Sequence, residues 1–498
     1  MKNKKMIGII IAVLAIIVVA IVLIVGANKS SGPLEFTLNS DGESYSVRLN
    51  AKLDKSQITE IEIPSTYKNK PVTTIYSFSD CTSLTKVVIP DSVTTVIGGG
   101  AFSRCTSLTS VGPVGSGASV ELPSSLTSIP SNMFTQCTSI NSVVLPDSIT
   151  FIDSYAFQGC TSLTDVTISN SVTEINSGAF SGCSSLKEIV IPDSVITIQN
   201  EVFSDCTALA DIKLSNQLVK LGSDVFENCS ALTTVTIPAS VEEMQNSLND
   251  CDSLTTLVFE GNPSYYYYRG LSNLTTLVFK EGVTEIPDDY FRECKKLATV
   301  TLPDSLLTIG YNAFSKCESL KTINLSDNSQ LQHIGTNAFF NCSNLQYFTI
   351  PDTVTSVGAG AFQGCNDAFF DYYDGGIYIG DYRILVGTSN ENISSLRVHS
   401  KTEVIATFAV YGCESLKSIN LGSTQYISDQ AFDGANRLES LTMSADVKYI
   451  GHAITNNSQP CINFGGTQEQ WNAIEKHDEW NNKMSIRIIC SDGDIIVK

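Results

Sequence analysis

The stretch "AFSGCSSLKEIVIPDSVITI", residues 179–198, has a close copy 23 residues earlier, "AFQGCTSLTDVTISNSVTEI" at residues 156–175. In both copies a cysteine follows a phenylalanine by three residues and precedes a leucine by three. Branched apolar residues then alternate with polar ones up to a Pro or Ser. Periods of about 20–29 residues with this pattern are typical of repeat proteins. A chain of 498 residues is also too long for one compact core, because such cores stop growing at about 250–300 residues.

The cysteines mark the period along most of the chain, and most neighbours are 22 to 25 residues apart. The same frame continues through three places where cysteine is replaced, Leu271, Asn390 and Ala435. It gives about sixteen turns. The repeat cysteines are Cys81, Cys105, Cys137, Cys160, Cys183, Cys206, Cys229, Cys251, Cys294, Cys317, Cys342, Cys365 and Cys413.

Each period contains about eight apolar side chains whose spacing indicates two short extended segments and a tight helical turn. No single period can bury these side chains, but stacked periods with parallel strands cover one another. The sequence therefore predicts a solenoid, with parallel β-strands on its concave face. In one period the apolar residues are Leu163, Val166, Ile168, Val172, Ile175, Ala179, Phe180 and Cys183.

One phenylalanine per period is expected to stack on the next as a spine, from Phe78 to Phe432. The total of fifteen cysteines is odd, and the positions where another residue replaces cysteine occur singly. The cysteines therefore do not fit a pattern of paired disulfides. Cysteine is small and apolar when buried, so we predict a packed column of free thiols. The 23-residue spacing also lacks the close cysteine pairs of zinc sites, and we predict neither a metal nor a cofactor. Whether Cys461 and Cys490, in the terminal segment, pair with each other stays open.

The N-terminus predicts a membrane anchor. After "MKNKK", residues 6–27 carry no charge, and roughly 20 apolar residues suffice to cross a bilayer as a helix. Lys2, Lys4 and Lys5 are expected to stay in the cytoplasm and leave the rest of the chain outside. The competing interpretation is a cleaved signal peptide ending near Val25-Gly26-Ala27, which would make the protein secreted.

The exported part is strongly acidic. The chain has 31 basic residues, and subtracting the four lysines of residues 1–29 leaves 27 against 51 acidic residues, a formal charge of −24. This charge argues against nucleic acid and anionic lipid surfaces as partners.

The repeat "AFxxCxxLxxVxIPxSVxxI" resembles the BspA-like class of leucine-rich repeats, as do "GGIYIGDYRILVG" and the ending "FGGTQEQWNAI…IRIICSDG". The resemblance covers nearly all of residues 34–498 and implies a bacterial surface protein with adhesive or recognition roles. We accordingly divide the chain into a stub (1–5), an anchor (6–27), an N-terminal cap and first turn (34–77), a solenoid (78–455) with an inserted hairpin near 366–400, and a C-terminal cap (456–498).

Two sets of side chains are candidate binding sites. The first points outward from the predicted concave strands, although each member alone could be ordinary solvated surface: Lys86, Asp165, Thr167, Glu188, Asp211, Lys213, Thr236, Thr301, Asn324 and Tyr347. The second is an aromatic patch in a period break, Tyr265, Tyr266, Tyr267 and Arg269, since aromatic and arginine side chains often anchor interfaces.

The four histidines occur in unrelated contexts, and no familiar catalytic motif accompanies them. We therefore predict a non-enzymatic protein that acts in adhesion or recognition. Its partners would be extracellular proteins or glycans on host cells or matrix. The alternative is a self-associating structural or spacer protein of the cell surface; the oligomeric state cannot be read from the sequence.

Overall fold

The computed structural model describes residues 32–112, 119–248, 250–263, 271–455 and 458–497. The predicted stub and anchor at residues 1–27 lie outside this range, as do Tyr265, Tyr266, Tyr267 and Arg269 of the predicted aromatic patch. None of the helices in the described part of the chain is long and apolar enough to cross a membrane. The described residues belong to two compact units. Unit 1 lies within residues 1–254 and 269–271, and unit 2 within 255–268 and 272–498.

Both units are solenoids in which most turns contribute two short parallel strands. In the turn ending at Cys183 the first strand is Asp165–Thr167 and the second is Glu174–Ile175. The second strand pairs in parallel with the next turn, Glu174 with Thr197 and Ile175 with Ile198, an offset of one 23-residue period. Of the eight predicted apolar side chains only Val166 is half-buried, and the other seven are buried.

In unit 1 the first strands of the turns are Glu60–Glu62, Lys86–Val88, Ser110–Val111, Val120–Glu121, Ser142–Val144, Asp165–Thr167, Glu188–Val190, Asp211–Lys213 and Thr234–Ile237. The second strands are Thr95–Val96, Ser128–Ile129, Phe151–Ile152, Glu174–Ile175, Thr197–Ile198, Lys220–Leu221 and Glu243–Met244. The cap contains Leu34–Leu38, Tyr45–Leu49, Thr66–Tyr67, Lys70–Ile75 and a 3₁₀ helix, Lys55–Gln57.

In unit 2 the first strands are Thr256–Phe259, Thr276–Phe279, Thr299–Thr301, Thr322–Asn324, Ser395–Arg397, Ser418–Asn420, Ser440–Met443 and Cys461–Phe464. The second strands are Glu285–Ile286, Thr308–Ile309, His333–Ile334, Ser356–Val357, Val404–Ile405, Tyr426–Ile427, Tyr449–Ile450 and Glu475–Lys476. The remaining elements are Asp367–Phe369 (3₁₀), Asp371–Tyr373, Gly376–Ile379, Ile384–Thr388, the α-helix Gln468–Ala473, Ile486–Cys490 and Gly493–Val497.

The segment that carries the phenylalanine is not the helical turn that the sequence predicted. Its amides alternate between two kinds of hydrogen bond. Those of Ala179, Ser181 and Cys183 donate three residues back within the turn, at 3.0–3.2 Å. Those of Gly178, Phe180 and Gly182 donate to carbonyls of the next turn, at 2.7–3.0 Å. Since half of the amides are used between turns, no helix forms here, and the ladder joins successive turns along this edge as well.

The predicted phenylalanine spine is confirmed over the regular turns of each unit, but it is interrupted before Phe432, because Gly387 and Val410 occupy the intervening positions of the frame. In unit 1 consecutive rings from Phe78 to Phe226 stack with centroids 5.3–6.0 Å apart. In unit 2 the rings from Phe291 to Phe362 stack at 5.3–5.7 Å. Such ring pairs add stabilisation beyond the area that they bury.

The column of free thiols is also confirmed, since no cysteine forms a disulfide and the thirteen repeat cysteines are buried. In most turns the thiol donates to the carbonyl of a spine phenylalanine in an earlier turn. Cys183 donates to Phe157 at 3.3 Å, and Cys206 donates to Phe180 at 3.3 Å. A cysteine thus provides a small apolar side chain and satisfies one buried carbonyl.

Cys461 and Cys490 are free. Their strands pair with Ile462 opposite Ile488 and Asn463 opposite Ile489. Continuing this register separates the two cysteines by three residues along the strands, about 10 Å, which is beyond the reach of a disulfide.

The inserted hairpin predicted near residues 366–400 is present in unit 2 and has one more strand than expected. Asp371–Tyr373, Gly376–Ile379 and Ile384–Thr388 form an antiparallel meander, and its last strand pairs in parallel with Val404–Ile405. Asn390, which the repeat frame assigned to a cysteine slot, is exposed, because the meander replaces the regular turn there.

Arg383 joins this meander to the adjacent turns through hydrogen bonds. Its guanidinium donates to the Val354 and Glu403 oxygens, both at 3.2 Å, and also to the Pro351 carbonyl. The side chain is only 9% exposed. We expect Arg383→Met to lower the free energy of unfolding by about 2–3 kcal/mol, because hydrogen bonds from a charged group are lost and buried acceptors are left unpaired. Urea unfolding measures this, with the exposed Arg397→Met as control; equal losses in both variants would contradict the anchoring role.

Candidate binding surface

The first strands present the predicted outward residues in regular rows, which we call the strand face of each unit. Along a strand, buried and outward side chains alternate because successive residues point to opposite faces. In Glu188–Val190, for example, Ile189 is buried and the two flanking residues are exposed. Parallel pairing then places equivalent outward residues side by side, Glu188 next to Asp211 and Val190 next to Lys213.

In unit 1 the strand face carries an acidic row beside a mixed row. Asp165, Glu188 and Asp211 occupy the same position in three successive turns, and all three are exposed. The neighbouring position holds Thr167, Val190 and Lys213, with Val190 59% exposed. Lys86 and Thr236 are half-buried members of these rows.

In unit 2 the strand face is richer in threonine. Thr299 pairs with Thr322, and Thr301 pairs with Asn324, whose side-chain amide lies 3.4 Å from the Thr301 hydroxyl. Tyr347 continues the row through a bridge to Thr322 and is 60% exposed. Thr322, Asn324, Tyr347 and Thr349 also line one open depression.

Nine of the ten predicted strand-face residues therefore occupy strands, and Tyr347 continues the row at an isolated bridge. Seven of the ten are exposed, and Lys86, Thr236 and Thr301 are half-buried. Seven belong to unit 1, from Lys86 to Thr236, and Thr301, Asn324 and Tyr347 belong to unit 2. The aromatic patch lies outside the described residues. Within the described residues, no group of three or more His, Cys, Asp or Glu side chains could hold a metal ion.

Sequence reasoning missed a cavity of about 870 Å³ in unit 2, beside the meander. Its wall includes five aromatic residues, Phe362, Phe370, Tyr372, Phe408 and Tyr411. One signal in the sequence could have revealed it: the repeat frame has Gly387 where a spine phenylalanine belongs.

The stacked parallel turns, the 23-residue period and the outward rows define a leucine-rich-repeat solenoid. The family model for the BspA type leucine rich repeat region matches residues 50–135, 114–201, 173–269, 262–383 and 388–475. The chain belongs to this BspA-type leucine-rich-repeat family. Solenoids of this kind typically serve as binding scaffolds, which is consistent with protein recognition.

Several solved structures are similar. A leucine-rich repeat protein from Bacteroides ovatus is 25% identical over 68% of this chain and 92% of its own, with a TM-score of 0.47. A leucine rich cell surface protein from Faecalibacterium prausnitzii is 25% identical over 90% of this chain and 97% of its own, with a TM-score of 0.34. The pneumococcal vaccine antigen PcpA is 17% identical over 95% of this chain and 99% of its own, with a TM-score of 0.31. The comparison with curated proteins gave no match.

Proposed function

We propose that the protein is a membrane-anchored extracellular recognition protein that acts in adhesion. Residues 6–27 would hold it in the membrane, and the strand faces would bind protein or glycan ligands on host cells or matrix. The observation that carries the proposal is the in-register repetition of exposed outward side chains on neighbouring strands, as in Glu188–Asp211 and Val190–Lys213. A rigid row of this kind offers many weak contacts to one extended partner, which is how solenoids generally bind.

The charge of the rows constrains the partner. In unit 1 the exposed acidic row of Asp165, Glu188 and Asp211 favours a partner surface with basic groups at matching intervals. In unit 2 the threonine and asparagine hydroxyl and amide groups of the strand face offer neutral hydrogen bonds. We therefore expect protein ligands with a basic stripe to engage unit 1.

The test is binding of the purified full-length chain, in detergent, to immobilised matrix proteins and to a glycan array. We expect the triple variant Asp165→Lys, Glu188→Lys and Asp211→Lys to reduce binding of a basic protein ligand about tenfold or more, since it reverses the charge of the acidic row. The control variant Asp91→Lys, Asp147→Lys and Glu242→Lys changes net charge equally at exposed positions of unit 1 outside the strand face and should bind as before.

Equal binding by both triple variants would show that the strand face is not the contact surface. Light scattering on the same samples tests the structural alternative: oligomers that grow with concentration, without binding to any immobilised ligand, would replace recognition with self-association.

A further inference from the structure

The cavity of unit 2 arises where the repeat pattern is broken. Gly387 takes the place of a spine phenylalanine in the frame, so the turn contributes no ring there. Gly387, Val386 and Thr388 form part of the wall beside Phe362. A Cβ atom built at Gly387 would meet only the side chain of Ile377, at 3.7 Å. The missing ring thus leaves space that no neighbouring backbone fills.

The same break leaves hydrogen-bond donors without acceptors. In regular turns alternate amides donate to the next turn, as Phe339 does to Ala361 at 2.7 Å and Asn341 to Gln363 at 2.8 Å. Among the described residues, the corresponding amides of Gly360, Phe362 and Gly364 have no acceptor, because the meander displaces the next turn. All three residues line the cavity. Unpaired backbone amides are costly unless water or a ligand accepts from them.

Two tyrosine side chains that line this cavity are largely exposed to solvent. Tyr372 is 52% exposed and Tyr411 is 67% exposed, and the rings of Phe408 and Tyr411 lie 5.5 Å apart. Exposed aromatic side chains grouped at one concave place are unusual on a soluble surface and indicate a contact site.

Phe408 lines the cavity and has a positive φ of +58°, as do the residues at the equivalent position of other turns, among them Gly178, Tyr155 and Glu201. Asparagine adopts this conformation readily. The change Phe408→Asn therefore removes the ring without adding backbone strain.

The polar part of the wall limits the chemistry of the ligand. It contains the carboxylates of Asp367, Glu391 and Asp433 and the amides of Asn337 and Gln363, and no lysine or arginine occurs among the described lining residues. Anionic ligands are therefore disfavoured. A sugar suits this wall because its hydroxyl groups donate to carboxylates and accept from amide N–H groups, while its C–H faces pack on aromatic rings. Sites of about 300–1,000 Å³ are of the usual size for small ligands.

We propose that this cavity, formed by the break in the spine at Gly387, binds a short neutral oligosaccharide between the rings of Tyr372, Phe408 and Tyr411 and the free amides of residues 360–364. The site is separate from the strand face, and the two proposals can fail independently.

The experiment uses the purified full-length chain in a detergent without a sugar or choline headgroup. A neutral glycan array identifies binding oligosaccharides, and calorimetry measures their affinity. Phe408→Asn is the decisive variant because asparagine accepts the left-handed conformation. We expect it to weaken binding about tenfold or more and to leave the thermal midpoint unchanged or higher. Tyr411→Ala should weaken binding similarly. Gly387→Phe, which fills the cavity, should abolish it.

Tyr311→Ala is the matched control, since this tyrosine of unit 2 is 44% exposed and lies neither on the strand face nor in the cavity wall; it should bind the oligosaccharide normally. The absence of any bound neutral glycan would overturn the proposal, as would equal affinity of wild type, Phe408→Asn and Tyr411→Ala. A cavity that binds only tetramethylammonium or a basic peptide would instead be a cation site, and the proposal would be wrong. Loss of sugar binding in the strand-face triple variant, with the cavity variants unaffected, would locate the sugar on the strand face.

Discussion

Phe180→Ala is expected to lower the free energy of unfolding of unit 1 by about 3–5 kcal/mol, the usual cost of truncating a buried aromatic side chain. The ring is fully buried and stacks between Phe157 at 5.4 Å and Phe203 at 5.8 Å. Its removal creates a cavity and breaks two ring contacts. Since every turn is supported only by its neighbours, the loss cannot be compensated from elsewhere in the unit.

Urea unfolding measures the effect, and Phe151→Ala is the control. Phe151 lies in the same unit but is 38% exposed, so its truncation should cost well under about 1.5 kcal/mol. If the two variants lost similar stability, the stacked spine would not be the main support of the turns.

Alkaline pH is expected to destabilise the protein steeply, through the thiol column. Burial raises the pKa of Cys206 and Cys251 to about 12, whereas a thiol in the unfolded chain ionises near pH 8.5. The folded state therefore holds protons that the unfolded state releases. The stability contributed by these thiols is complete below about pH 8.5 and is lost as the pH rises toward 12, by about 1.4 kcal/mol per pH unit for each thiol.

The measurement is the unfolding free energy of wild type and of Cys206→Ala with Cys251→Ala, between about pH 8.5 and 10.5. The double variant should start lower but decline less steeply, by about 1.4 kcal/mol per pH unit for each thiol removed. The variant Thr207→Ala, which changes an exposed neighbour, should retain the wild-type slope. Parallel slopes in all three proteins would mean that the column does not control the alkaline limit.

The sequence predicted the regular turns well because the same side chains recur and each position has one role. Phe180, Cys183 and Leu186 are buried as the period required. The helical turn was wrong because local spacing cannot show that half of the amides around Phe180 donate to another turn. Those hydrogen bonds depend on how the turns stack on one another, which local spacing does not display.

The candidate sites could likewise be predicted only in part. The outward positions of residues such as Glu188 and Lys213 follow from two-residue alternation, which the sequence displays. The cavity depends on the register of the meander, where Ile377 and Leu385 are placed by antiparallel pairing with a shift. A β-bulge of this kind does not recur from turn to turn, so the repeat pattern does not predict it. Only Gly387, at the position of a spine phenylalanine, indicated a break in the repeat pattern.

The last two strands of unit 2 cover the edge of its parallel stack. A parallel stack has no natural length, since each exposed edge accepts another strand. Here Ile486–Cys490 is followed by Gly493–Val497, which runs antiparallel to it, and an exposed ion pair joins Arg487 to Asp494 at 2.5 Å. A further parallel turn cannot be added in register to the reversed strand. Deleting residues 493–497 would uncover the edge strand Ile486–Cys490, and pairing of two copies through this edge is the consequence we expect.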